Sequence, residues 1–316
     1  MTRNPDQRRY VLTSALLPNG DWTAEKLMDI SNGPFVTSGW LEEHLDDPAV
    51  AIIDVRAGFR PQPPGPSDFF SMYDDYLGAH IPGAHYLHMV NDLSDPAGSF
   101  PFKALTATKV HELLGALGIS NDQTLVIYGS DIHAVTHRCW WSLRQAGALN
   151  VRLMDCTYDR WVKDGRLVND FVSNNPPCVF EAVEVPEWIT NKEDVASAID
   201  DPTVGLVNAL STEQFAGLGQ HYGRPGRIPG SISVPAMSVI DPSTGALRER
   251  SELENVFSEA GADDFKNLIT YCGGGIAAST AFLALDTLGY SNVSLYDGSL
   301  LEWTQDPEAP LEVGSE

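Results

Sequence analysis

The chain has 316 residues, 43% apolar and 20% charged, with 43 acidic against 20 basic side chains and a net charge of −23. That length favours two domains over one, no apolar run of 18 residues exists to cross a membrane, and the charge repels nucleic acid and anionic lipid, so neither is an expected partner. The four cysteines (Cys139, Cys156, Cys178, Cys272) form no CxxC pair, and residues 1–20 hold three arginines but no apolar stretch of signal-peptide length; reduced thiols in a cytoplasmic protein are the expectation.

In chain order, residues 1–34 precede any repeating pattern and are expected to form an N-terminal extension. The run VAIIDV (50–55) is a short apolar segment bounded by turn signals, which predicts a buried parallel strand. Asp54 and Arg56 at its end are expected to form a structural ion pair or cap. His80, His85 and His88 cluster around Ile81-Pro82-Gly83, and His133 and His137 stand four apart, but without cysteine or carboxylate ligands at a recognised spacing no metal is expected. Apolar residues at three- and four-residue spacing predict a helix over 108–117, and TLVIYG (124–129) predicts the next strand. Trp140 and Trp141 are expected in the core or at a domain interface. The aperiodic stretch 169–186, with Asn-Asn-Pro-Pro, reads as a linker. Beyond it VGLVN (204–208), a helix over 251–260, LITYC (268–272), a helix over 277–288 stopped by Gly289, and the strand NVSLYD (292–297) complete the pattern.

The second half repeats the first. DDPAVAIIDVR (46–56) parallels DDPTVGLVNAL (200–210); Ile81-Pro82-Gly83 parallels Ile228-Pro229-Gly230; Asp95-Pro96 parallels Asp241-Pro242; TLVIY parallels NLITY; and NVRLMDCTYDRW (150–161) parallels NVSLYDGSLLEW (292–303). Alternating strands and helices in each copy predict an α/β protein of two tandem domains, 35–168 and 187–316, each a mainly parallel sheet flanked by helices.

Chemistry concentrates where a buried strand ends at Cys272. Gly273, Gly274 and Gly275 let the backbone curl around the thiol, and loop amides with the positive end of the following helix form an anion-binding hollow that stabilises a thiolate. The alternative is a buried structural cysteine beside a tight turn. A cysteine phosphatase needs an arginine six residues after the cysteine, where Ala278 stands, and residues 267–316 contain no lysine, arginine or histidine. The glycines lack the GxGxxG spacing of a nucleotide site. A cysteine protease needs a histidine partner, for which the second copy offers only His221. Cys139, Cys156 and Cys178 are expected to be small buried hydrophobes, with exposure open for Cys178.

Asp54-Val55-Arg56, the two Ile-Pro-Gly segments, Asp297-Gly298-Ser299 with Trp303, and the loop from Cys272 to Ala277 resemble the tandem-domain rhodanese-type sulfurtransferases, the thiosulfate and 3-mercaptopyruvate sulfurtransferase family, from Phe35 onward. The resemblance implies that Cys272 takes sulfur from a small anionic donor as a persulfide and passes it to cyanide or a thiol. It implies that Gly273, Gly274, Gly275, Ile276 and Ala277 cradle the sulfur, that no cofactor is needed, and that the first copy, with Gly129 in the cysteine's place, is inactive. Arg224 and Arg227, just before the second Ile-Pro-Gly, are the candidate cations for the donor; solvated loop arginines are the alternative. The chain departs from the family pattern at Gly274, where one subclass has serine, at Asn208-Ala209-Leu210, where Asp-x-Arg is usual, and at Leu300, where an aromatic is usual. The neutral loop favours 3-mercaptopyruvate over thiosulfate. Two other readings stand beside this one: a sulfur-binding or regulatory module without turnover, and another thiolate enzyme such as an arsenate reductase.

Overall fold

The computed structural model describes residues 33–62, 66–130, 133–219 and 222–314. Residues 1–32 of the expected extension, and His221, lie outside the described residues. The first half contains strands β1 (Phe35–Val36), β2 (Val50–Asp54), β3 (Ala57–Arg60), β4 (Asp68–Ser71), β5 (Ala84–Tyr86), β6 (Thr124–Tyr128) and β7 (Val151–Met154) with helices α1 (Ser38–Glu43), α2 (Tyr73–Gly78), α3 (Ala107–Ala116), α4 (His133–Gln145) and α5 (Tyr158–Lys163). The second contains β8 (Ile189–Thr190), β9 (Val204–Asn208), β10 (Ile232–Ser233), β11 (Asn267–Tyr271) and β12 (Val293–Tyr296) with α6 (Lys192–Ala198), α7 (Thr212–Phe215), α8 (Arg250–Glu259), α9 (Ile276–Leu288) and α10 (Ser299–Trp303).

Each half builds a five-stranded, wholly parallel sheet. The orders, β1-β7-β6-β2-β5 and β8-β12-β11-β9-β10, are the same arrangement made twice. β2, β6, β9 and β11 bury every residue after their first, as strands covered on both faces must. The three helices expected at 108–117, 251–260 and 277–288 each start one residue earlier, within the usual fraying of a helix end. One element breaks the repeat: β3 and β4 form an antiparallel ribbon in the first half. Residues 170–185 carry neither helix nor strand and lie along that half, with the Cys178 N–H on Gly115 O at 2.9 Å and the Val185 N–H on Gln145 O at 2.8 Å.

The duplication extends to single hydrogen bonds. The phenols of Tyr128 and Tyr271, at the ends of the two central strands, accept from the N–H of Ile81 and Ile228, the isoleucines of the two Ile-Pro-Gly segments. Tyr158 N–H bonds to Gly129 O, and Leu300 N–H bonds to Cys272 O. Asp54 accepts the Arg56 N–H and pairs with its guanidinium at 2.8 Å, both buried; in the second half Asn208 accepts the Leu210 N–H and the ion pair is gone.

The halves meet through α4 and α9, each 13 residues long and in equivalent places. Trp140 packs against Trp188, whose ring centroid stands 4.7 Å from that of Phe282. His137 and Thr280, equivalent positions of the two helices, hydrogen-bond at 3.0 Å. Burial, with a smaller push from His133, drives the His137 imidazole down to about 3 from its ordinary 6.5. The unfolded chain therefore takes up a proton between pH 6.5 and about 3 that the folded chain refuses, and stability present above pH 6.5 is lost as pH falls through that window. His137→Leu should flatten the fall of unfolding free energy between pH 6.5 and 4 by up to about 1.4 kcal/mol per pH unit, one proton's worth, in urea titrations at stepped pH. Parallel curves for wild type and variant would rule this out.

Candidate active site

Cys272 follows the last residue of β11, the central strand of the second sheet, at the carboxyl edge where open α/β sheets place their chemistry. The thiol is buried, 2% exposed. Each glycine after it has its own steric reason. A Cβ on Gly273 would lie 2.1 Å from the Tyr222 ring; one on Gly274 would meet Leu301 and Phe102 at 2.9 and 3.0 Å; and Gly275 has φ +79° with the Asp297 carbonyl oxygen 2.8 Å from its Cβ position.

The carbonyls of this loop are tied down on one side. Leu300 N–H donates to Cys272 O at 3.1 Å and Leu301 N–H to Gly273 O at 2.8 Å, both from the first turn of α10. Gly275 O accepts from Ser279 Oγ at 3.0 Å and Arg138 Nη1 at 3.3 Å. In a trans peptide the N–H points opposite to the C=O, so the amides of Gly273, Gly274 and Ile276 are aimed away from those partners. That is a nest of dipoles at the start of α9, suited to negative charge on sulfur. Ser299 is a second fixture: at φ +50°, uncommon for a residue with a Cβ, its Oγ accepts the Cys272 N–H at 3.1 Å and donates to Tyr296 O at 2.8 Å.

The loop is backed by the other half of the molecule. Arg138 on α4 reaches across to Asp297, Nη2 to Oδ1 at 2.5 Å, and also donates to Phe102 O at 2.9 Å and lies over the Trp141 ring. The second Asp297 oxygen accepts the Ala104 N–H at 2.8 Å. Both charged side chains are almost fully buried. Phe102, itself at φ +65°, covers Gly274. Sequence reasoning singled out the loop and named Asp297 only within the motif that carries the resemblance; it did not single out Arg138, Phe102 or Tyr222. Arg138 sits beside the Trp140-Trp141 pair, an interface signal that pointed to its neighbours and not to it.

Arg224 and Arg227, expected as the donor's cations, are held elsewhere. Arg224 donates to the carbonyls of Asp306 and Ala309 at 2.9 and 2.6 Å. Arg227 is buried, lies over the Phe215 ring, donates to Gly314 O at 2.7 Å and pairs with Glu312. Its backbone exchanges hydrogen bonds with Glu312 as His80 does with Asn169 in the first half, so both arginines fasten the returning C-terminal segment. Cys139 is buried, with its thiol pushed up to about 12 by that burial; Cys156 is half-buried and Cys178 exposed. Among the described residues no three histidine, cysteine or carboxylate side chains gather as a metal site.

With the geometry in hand, comparison with known proteins is direct. The chain matches the rhodanese-like domain family over residues 37–164 and again over 191–306. It is 31% identical over 286 residues to the 3-mercaptopyruvate sulfurtransferase of Escherichia coli, covering 88% of this chain and 97% of that one. It is 29% identical over 294 residues to the sulfur carrier protein TtuD of Thermus thermophilus, covering 89% and 97%. The crystal structure of SseA from Escherichia coli, described as a 3-mercaptopyruvate sulfotransferase, superposes with a TM-score of 0.75 at 30% identity over 84% of this chain and 98% of that one.

The Arg138–Asp297 pair should dominate the coupling of the halves. Arg138→Met strands a buried carboxylate and should cost about 3–5 kcal/mol of stability. Adding Asp297→Asn should return part of that loss, because the amide oxygen still accepts from Ala104 while the charge is gone. Urea midpoints of the two variants and wild type check both steps; a single variant as stable as wild type would show the pair to be idle.

Proposed function

The chain belongs to the rhodanese family and is a tandem-domain sulfurtransferase, and from that premise we propose that Cys272 carries the sulfur in transit and that the donor is 3-mercaptopyruvate in preference to thiosulfate. The carrying observation is that α10 holds the carbonyls of Cys272 and Gly273, so the N–H groups of the same two peptides point away from α10 and are open to an anion held by the loop. The thiolate attacks the donor's sulfur, and the sulfur–carbon bond breaks with its electron pair passing into the enolate of pyruvate, which then takes up a proton. Cys272 is left as a persulfide, Cys–S–S⁻. A thiol acceptor or cyanide attacks the outer sulfur, leaving as a persulfide or thiocyanate and returning the thiolate. Dipoles fixed before the reaction stabilise the charge at each stage without reorganising.

The donor preference follows from charge. Residues 267–316 contain no lysine, arginine or histidine, and the nearest guanidinium behind the loop, Arg138, is neutralised by Asp297. A net charge of −23 adds to the repulsion of a dianion such as thiosulfate. Mercaptopyruvate brings one carboxylate and asks less of the missing cations. On this reading residues 35–168 and 187–316 are the two domains, 169–186 the linker, and the first domain has no nucleophile because Gly129 holds the cysteine's place. It serves the site through Arg138, Phe102 and Ala104, and a cytoplasmic setting suits a thiol that must stay reduced.

Exposure to mercaptopyruvate should raise the intact mass by one sulfur, about 32 Da, and Cys272→Ser should abolish the gain. Sulfur found on Cys139, Cys156 or Cys178 would displace the assignment. A higher kcat/KM for thiosulfate than for mercaptopyruvate would overturn the donor preference while leaving the carrier intact.

A further inference from the structure

Among the described residues, Phe102 and Ser299 are the two with a side chain that adopt a positive φ. For Ser299, at +50°, the duplication supplies an internal control. Its counterpart is Thr157, which holds the same place in the repeated segment that runs from Asn150 in one copy and Asn292 in the other. Thr157 has φ −78° and ψ +162°, ordinary extended backbone, and its hydroxyl caps α5 by accepting the Arg160 N–H at 3.3 Å. The unusual backbone belongs to the copy that carries the cysteine.

The two copies together isolate what that backbone achieves. Tyr158 N–H bonds to Gly129 O at 2.9 Å in the first half, as Leu300 N–H bonds to Cys272 O at 3.1 Å in the second, so this bond needs no positive φ. Two further bonds have no counterpart among the described residues of the first half. Cys272 N–H donates to Ser299 Oγ at 3.1 Å, and Leu301 N–H donates to Gly273 O at 2.8 Å. Ser299 is fully buried and spends its own hydrogen on Tyr296 O at 2.8 Å, which fixes the hydroxyl from both sides. Residues 299–301 thus grip three consecutive peptides, the two that flank Cys272 and the one after them. A strained residue persists only where its surroundings hold it, and such residues gather where geometry serves function.

We propose that Ser299 is a positioning residue of the sulfur transfer: its left-handed backbone and its hydroxyl fix the peptides around Cys272, and with them the Cα from which the thiol reaches the donor's sulfur. The proposal rests on the reading of Cys272 as the carrier. Ser299 acts through the backbone of Cys272 and exchanges no proton with the donor.

Two substitutions in the full chain separate strain from positioning. Ser299→Ala removes the hydroxyl and leaves a Cβ at positive φ, whereas Ser299→Gly removes the hydroxyl and adopts that φ freely. The glycine variant should melt above the alanine variant. Both should nevertheless lower kcat with mercaptopyruvate about ten- to hundredfold with KM nearly unchanged, the mark of a misplaced reacting group. In rapid-quench mass measurements both should reach the wild-type gain of one sulfur, more slowly by the same factor. Thr157→Ala, which deletes the counterpart hydroxyl, should leave kcat as in wild type. The positioning role is overturned by a wild-type kcat in Ser299→Gly, by a loss expressed in KM, by a final sulfur gain reduced in step with the unfolded fraction, by an equal loss in Thr157→Ala, or by a glycine variant that melts no higher than the alanine one. A wild-type chain that takes up no sulfur on Cys272 overturns instead the carrier reading beneath it.

Discussion

The guanidinium of Arg138 leaves the first half of the molecule, passes behind the loop that follows Cys272 and meets the carboxylate of Asp297 from the second, with neither side chain more than 5% exposed. Taking two charges out of water costs several kcal/mol per ion, which attraction offsets only when the remaining hydrogen-bonding positions are filled. Here they are filled by Phe102 O, Gly275 O, the Ala104 N–H and the face of Trp141. The pair thus fixes the domain interface, the far end of the loop at Gly275 and the segment that puts Phe102 over Gly274. Loop shape and domain docking are one constraint.

Duplication explains how such an arrangement arises from a modest sequence. The same five-stranded sheet, the same tyrosine at the end of its central strand and the same return of the chain beside the Ile-Pro-Gly segment occur twice. The departures from the repeat are local. Asp54 and Arg56 form a buried pair where Asn208 and Leu210 form none, and Gly129 stands where Cys272 does. Asp155 and Asp297 occupy equivalent places, yet the first accepts from Ser38 N–H within its own half and the second from Ala104 and Arg138 across the interface.

The electrostatics of the loop come from backbone and not from side chains. No lysine, arginine or histidine follows Lys266, and the guanidinium behind the loop, Arg138, is paired with Asp297. Amide dipoles fixed by α10, Ser279 and Arg138 provide a field that needs no net charge and is therefore little affected by the surrounding −23.

The linear sequence determined the repeat, the parallel α/β class and the position of the thiol, because each is written in contiguous residues: apolar runs of strand length, three glycines after Cys272, and motifs recurring in order. It also carried the expectation of an Asp54–Arg56 pair, since two residues apart at a strand end can meet without help from the rest of the chain. It misdirected Arg224 and Arg227, whose nearness to the loop in sequence says nothing of which carbonyls their long side chains will reach; those carbonyls belong to the C-terminal segment. Arg138, Phe102 and Tyr222 were decided only by tertiary structure. Each comes to the loop from a distant part of the chain, and the contact exists only once α4 packs on α9 and the second Ile-Pro-Gly segment folds back over β11. Sequence periodicity records what a segment does with its own neighbours, whereas a site between two domains is made by groups whose separation along the chain carries no signal of their meeting.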